Sequence, residues 1–255
     1  MEYIKLEVSE YIAVITMDAP PVNAVNAGFM DEMIATFDQM SDRDDVRVVV
    51  LTGAGKMFCA GADIKGRANA QMQPGDRWAH SRRARELSYS IIECRKPVLV
   101  AINGPALGAG LGIAVSCDIL LCSENACLGL PEVDVGLMGG GRHAMRVCGH
   151  SLTRRMMMTG DRISGPELYR RGIVEACVPL EELMPTTMAM ARRIAAKSPL
   201  ASRTAKNSAS TIEGMTLRDG YRFEQNMTAE LSRSNDSKEA MRAFVEKRPP
   251  VFTGT

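Results

Sequence analysis

The stretch "VLVAINGPALGAGLGIAVSCD", residues 98–118, decides how this chain is read. It opens on an apolar run rich in β-branched residues and breaks at Asn103, Gly104 and Pro105. It then carries Gly108, Gly110 and Gly112 into a segment without charge before Asp118. The run predicts a buried strand, and the uncharged segment predicts a helix. Each glycine inside a helix costs about 1 kcal/mol relative to alanine, so something must need the bare backbone there. A second corner has the same build. In "VVVLTGAGKMFCAGADIK", residues 48–65, a β-branched strand passes through a glycine turn into small residues.

Two physical readings fit a glycine-rich corner. The glycines permit close packing of helix on strand, or they bring a ligand up to the main chain. Ala109 falls in the first helical turn, where N–H groups have no intrahelical partner. With the helix dipole behind them, such donors suit negative charge developing on an oxygen. Ala60, in the corner at 48–65, is the candidate for a facing donor, and the matching of the two corners favours an oxyanion hole over packing alone. Other motifs fail. "GAGLGI" has Ile113 where a dinucleotide fingerprint needs Gly or Ala, and "LTGAGKMF" has Met57 where a P-loop needs Ser or Thr. No G-x-S-x-G nucleophile elbow occurs.

Outward from these corners the pattern is regular. Ile4, Leu6 and Val8, then Ile12, Val14 and Ile15, alternate as in two hairpin strands. Phe29, Met33, Ile34 and Phe37 have helical spacing, as does "SRRARELSYSIIECR" at 81–95. "DILLCSE" at 118–124 reads as a further strand, "MMM" at 156–158 as core helix, and 65–81 as a loop. Strands alternating with helices predict an α/β fold with parallel pairing. From Ser198, a capping residue before Pro199, helices take over. The expected organisation is an α/β core over 1–197 and a helical region over 198–255.

Composition excludes several classes. A formal net charge of +1 over 255 residues gives no general attraction to nucleic acid or to an anionic membrane. No basic start followed by an apolar stretch is present, and no apolar run reaches the ~18 residues of a spanning helix. Seven cysteines form no C-x-x-C pair and read as reduced residues of a cytoplasmic protein. With three histidines and no ligand-spaced cluster, no metal site is expected.

"FCAGADIK" at 58–65, "NGPALGAG" at 103–110 leading to "CDI" at 117–119, and "LGLPEVDVGL" at 128–137 together resemble the crotonase superfamily, the enoyl-CoA hydratases and isomerases. "PVNAVN" at 21–26 and "FVEKRPPVFTG" at 244–254 agree, so the resemblance covers essentially the whole chain. It implies a spiral of ββα repeats, with the C-terminal helices serving trimerisation. It implies an acyl-CoA thioester as substrate, with no separate cofactor because coenzyme A is part of the substrate, and a homotrimer or homohexamer acting in fatty acid metabolism. Carried over residue by residue, it gives Ala60 and Ala109 as oxyanion donors. Asn23, Ala24, Gly61, Ala62, Asp63 and Ile64 become walls for the coenzyme, which Phe244 and Lys247 reach from a neighbouring subunit. Glu132 matches the glutamate that exchanges a proton with the substrate.

The chain departs from the family pattern at Gly112, which stands where hydratases carry a second glutamate. Asp134 and His143 are candidates to compensate, and Trp78, Met72 and Met138 are candidates for the acyl pocket. Gly140 stands where some isomerases of the family keep an aspartate. Hydration of a 2-enoyl-CoA is the first reading. Isomerisation with Glu132 as the single base is the close alternative. Less favoured are a hydroxycinnamoyl-CoA hydratase-lyase-like activity and a non-catalytic RNA-binding role.

Overall fold

The computed structural model describes residues 1–64, 66 and 73–255. Strands β1 (Ile4–Ser9) and β2 (Ile12–Met17) pair antiparallel, from Ile4 opposite Met17 to Ser9 opposite Ile12. Glu10 and Tyr11 between them both take positive φ, the two-residue turn whose twist suits a hairpin. After this hairpin one unit recurs: a strand of the main sheet, a very short strand beside it, and a helix. It appears as β2, β3 (Ala24–Val25) and α1 (Ala27–Asp42). It returns as β4 (Val48–Gly53), β5 (Gly61–Ala62) and α2 (Asp76–Ile92). The third copy is β6 (Val98–Ile102), β7 (Ala106–Leu107) and α3 (Ala109–Ser116). The fourth is β8 (Ile119–Ser123), β9 (Cys127–Gly129), a 3-10 turn (Pro131–Val135) and α4 (Gly141–Thr159).

The chain continues through β10 (Arg162–Ser164), α5 (Gly165–Arg170), β11 (Ala176–Val178) and α6 (Leu180–Ala195). The main sheet has the order β1-β2-β4-β6-β8-β11 and is parallel from β2 onward. The short strands form two small sheets, β3-β5 and β7-β9-β10, linked by a bridge between Cys59 and Ala106. Helix α1 buries Phe29, Met33 and Phe37 on one face of the main sheet, and α6 brings Ala191 and Ala195 against Ile12, Val50 and Leu99 on the other. Covered on both faces, β4, β6 and β8 read as continuous apolar runs, while the edge strand β1 alternates.

Three helices close the chain, α7 (Pro199–Ile212), α8 (Leu217–Leu231) and α9 (Asn235–Glu246). Ser198 caps α7 as its sequence predicts, accepting a hydrogen bond from the Ala201 N–H at 3.1 Å. The buried Lys206 ties α7 to the α/β body. Its ammonium donates to the carbonyls of Ile91 and Lys96, both at 3.1 Å, and lies 2.9 Å from Asp118.

Two expectations change. Helix α2 begins at Asp76, five residues before the expected start at 81, and so takes up the end of the anticipated loop. Gly108 lies outside α3, at its N-cap with φ 54°, so its glycine serves a left-handed turn and not a helix interior. Of the "MMM" run, Met156 is buried and Met158 is exposed. Among the described residues no helix is long and apolar enough to cross a membrane.

Candidate active site

Helix α3 starts abruptly, and its start is the centre of the site. No side chain caps it; the first N–H to close a helical turn is that of Gly112, on the Gly108 carbonyl at 3.1 Å. The N–H groups of Ala109, Gly110 and Leu111 precede that bond and have no acceptor within the helix. Both readings of the glycines hold, at different positions. A Cβ on Gly110 would run into the Cys59 carbonyl, and one on Gly61 would sit 2.7 Å from the Leu107 carbonyl oxygen and 3.5 Å from the Ala109 nitrogen. Those two glycines let the corners meet. Cys59 stitches them further, donating its N–H to Pro105 and accepting from Leu107 at 3.2 and 3.0 Å. Burial pushes its thiol up to about 12, so it keeps its proton.

Ala60 is not free to serve as the facing donor. Its N–H donates to the Val22 carbonyl at 3.0 Å. Two residues of strand cannot be recognised in a sequence, so the direction in which each N–H points stayed hidden. Asp63 donates to Val25 at 3.0 Å as the ladder between β3 and β5 ends. Donors along one parallel strand alternate in direction, which turns the Ala62 N–H away from β3. The neighbouring Gly61 faces Ala109.

Asn23 is also misplaced by the sequence reading, which made it a coenzyme wall. It is 2% exposed, and its side chain is spent on the main chain. Its Oδ1 accepts from Ala19 at 2.9 Å, and its Nδ2 faces the carbonyls of Ala54, Met57 and Phe58 at 3.0–3.1 Å. Ala24, half-buried, pairs with Gly61 across the short ladder. Beyond Ala62, Asp63 accepts the Gly66 N–H at 2.9 Å through Oδ1, and Ile64 is exposed.

Glu132 is brought to this corner by the 3-10 turn after β9. Pro131 sits at the start of that turn, and Gly136, in the left-handed region, ends it. Glu132 Oε1 lies 2.7 Å from where a Cβ on Gly108 would be, and 3.5 Å from the corresponding point on Gly139. Glu132 Oε2 is buried and meets no hydrogen-bond partner among the described residues. Burial raises the carboxyl above its usual range, with its own main-chain N–H opposing weakly. The fold thus brings Ala109 and Glu132 together, and they meet at Gly108.

Of the candidate substitutes for a second carboxylate, Asp134 is directed away from this corner. Because 131–135 is a 3-10 turn and not extended, Asp134 is turned to Gly160, whose Cβ would lie 3.0 Å from both of its carboxylate oxygens. His143, half-buried on α4, is lowered first by burial and then by the charges of Arg146 and Arg142. At Gly112 itself a Cβ would meet nothing within 4 Å. Gly140, with φ 70°, begins α4, and a Cβ there would crowd Leu130 at 2.6 Å.

Met138 lines a hollow beside Glu132 with Leu130, Val133 and Met157. Trp78 is exposed on α2, and Met72 lies outside the described residues. Roomier clefts exist, as between α2 and α7 at Tyr89, Arg203 and Asn207. None of them is lined by Glu132 or by the start of α3, so the chemistry marks the corner where Glu132 meets Gly108. Phe244, 86% exposed, and Lys247, at the left-handed end of α9, project from the surface of the single chain.

Comparison with known proteins identifies the family. The family model described as enoyl-CoA hydratase/isomerase matches residues 7–255. A probable mitochondrial enoyl-CoA hydratase of Dictyostelium discoideum is 33% identical over 245 residues, covering 94% of this chain and 87% of that protein. A probable enoyl-CoA hydratase of Bacillus subtilis is 33% identical over the full length of both. The crystal structure of an enoyl-CoA hydratase from Bacillus anthracis superposes with a TM-score of 0.94 at 30% identity, covering 99% of this chain and 100% of that one.

Proposed function

The chain belongs to the enoyl-CoA hydratase/isomerase family, and from that premise we propose how its residues hydrate a 2-enoyl-CoA thioester. The observation that carries the reading is the buried carboxylate oxygen of Glu132, without a hydrogen-bond partner among the described residues, beside the open start of α3. The main-chain N–H groups of Ala109 and Ala62 hold the thioester oxygen. Ala62 replaces Ala60 in this role because the Ala60 N–H is committed to Val22. Water oxygen bonds to C3, Glu132 takes the proton that water loses, and negative charge collects on the thioester oxygen. Glu132 then returns the proton to C2. One molecule of water is added, and the carboxylate ends as it began. Fixed donors at a developing oxyanion contribute about 3–4 kcal/mol each to lowering the barrier. A carboxyl raised by burial is a better match for giving the proton back.

Gly112 favours a second reading, double-bond isomerisation, because a 1,3-proton shift needs a single base and no oriented water. Mass analysis of the products of 2-enoyl- and 3-enoyl-CoA in heavy water separates the two. Oxygen gain with one carbon-bound deuterium is expected, whereas bond migration without oxygen gain would replace hydration by isomerisation.

The coenzyme arm lies along Ala24, Gly61, Asp63 and Ile64 in this reading, and Phe244 and Lys247 of the partner subunit close over it. A homotrimer or a pair of trimers is supported by the exposure of Phe244 and by α8, an amphipathic helix that buries only Gly220 in the single chain. Seven unpaired cysteines support a reducing, cytoplasmic setting.

A further inference from the structure

We propose that Asn23 is a positioning residue for the oxyanion-binding pair, fixing where Ala62 presents its N–H. This rests on the assignment of Ala62 and Ala109 as donors made above. The strand that carries Ala62 is two residues long and pairs only with β3, itself two residues long. So short a ladder cannot hold a donor in place by its own hydrogen bonds; sheets of three or more strands are the stable unit. Its geometry must be set where the two segments lead into it.

Asn23 acts on both of those approaches. Its main chain, with φ 53°, makes the left-handed bend that sends Ala24 and Val25 into the ladder. Asparagine takes that conformation more readily than other residues with a side chain. The amide then grips each approach separately. Oδ1 holds the Ala19 N–H on the segment leading to β3, while Nδ2 faces Ala54, Met57 and Phe58 on the segment leading to β5. Immediately outside the amide, Val22 accepts from Ala60. One planar group therefore sets the relative height of β3 and β5, and with it the distance between the Ala62 and Ala109 donors. At 2% exposure it has no free hydrogen-bonding capacity for a ligand, so it acts through Ala62 and does not touch the substrate.

Two substitutions separate the side chain from the backbone bend. Asn23→Asp keeps the shape and the acceptor for Ala19 but removes the donor to the three carbonyls. Asn23→Gly keeps the left-handed bend at no strain and removes the whole amide. The readout is acetoacetyl-CoA, whose enolate absorbs in the near ultraviolet and reports how well the thioester-side oxygen is held as an anion. The wild-type protein is expected to lower the pH at which the bound compound ionises. In both variants that pH is expected to rise by about one unit or more, with crotonyl-CoA turnover down about tenfold to a hundredfold. Affinity for coenzyme A alone, which has no acyl carbonyl, stays within about twofold.

Absence of any enolate gain in the wild type would overturn the donor assignment itself. An enolate gain in the wild type that is kept in folded variants would overturn the role of Asn23 alone. Loss of the fold in both variants would also overturn it, making Asn23 a residue of the fold and not of the site.

Discussion

At the scale of the residue, Glu132 carries two opposed effects that one substitution separates. Its carboxyl is raised by burial in the folded chain, so the folded state holds that proton to higher pH than the unfolded state does. Stability contributed here is therefore present below the unfolded pKa and falls as pH rises toward the folded one. Glu132→Gln removes the desolvated charge. It is expected to raise the melting temperature at neutral pH, with the gain vanishing below about pH 4, where the carboxyl is protonated in both states. The same change is expected to cut turnover by about 10²–10⁴-fold while leaving coenzyme A binding intact, as calorimetry and initial rates would establish. Gly108→Ala acts on the same carboxylate from the other side. It places a methyl 2.7 Å from Oε1 at a φ of 54°, so a loss of turnover is expected along with a backbone cost of about 1–2 kcal/mol, read by denaturant unfolding. Gly112→Glu places its Cβ where nothing lies within 4 Å and is expected to fold. Hydration of crotonyl-CoA should then gain on isomerisation, as product ratios would reveal.

At the scale of the element, α7 is fastened by one buried cation. Lys206 is 8% exposed, and its three partners are two carbonyls and Asp118. Burial keeps Asp118 above the usual carboxylate range, with Lys206 opposing it. Removing one partner of such a pair strands the other. Lys206→Met is expected to cost about 3–5 kcal/mol in urea unfolding, and the double variant with Asp118→Asn to recover part of it.

Elements of this size were legible in the sequence. The hairpin, α1, the β-branched strands and the Ser198–Pro199 start of α7 each declare themselves through period or cap. What escaped was smaller. A two-residue strand such as β5 has no period, so which of Ala60 and Ala62 faces Ala109 could not be read. Nor could the 3-10 turn that swings Asp134 away from Glu132. The meeting of Ala109 with Glu132 was legible, because family motifs fix their spacing along the chain.

At the scale of the whole molecule, the C-terminal helices present more apolar surface than a single chain can use. Leu217 is 91% exposed, and Tyr221, Met241, Phe244 and Val245 are exposed with it. Light scattering on the purified chain is expected to give the mass of three or six copies; a monomer at micromolar concentration would refute the assembly. Phe244→Ala is expected to weaken coenzyme binding, as calorimetry would read, with the fold of each chain kept because the ring is almost fully exposed on its own chain.

The short strands stand beside the six-stranded sheet and not within it. That offset separates chassis from tool. Exchanging stretches 54–64 and 103–108 for those of another hydratase is therefore expected to leave the six-stranded sheet standing, with Glu132 still supplying the proton.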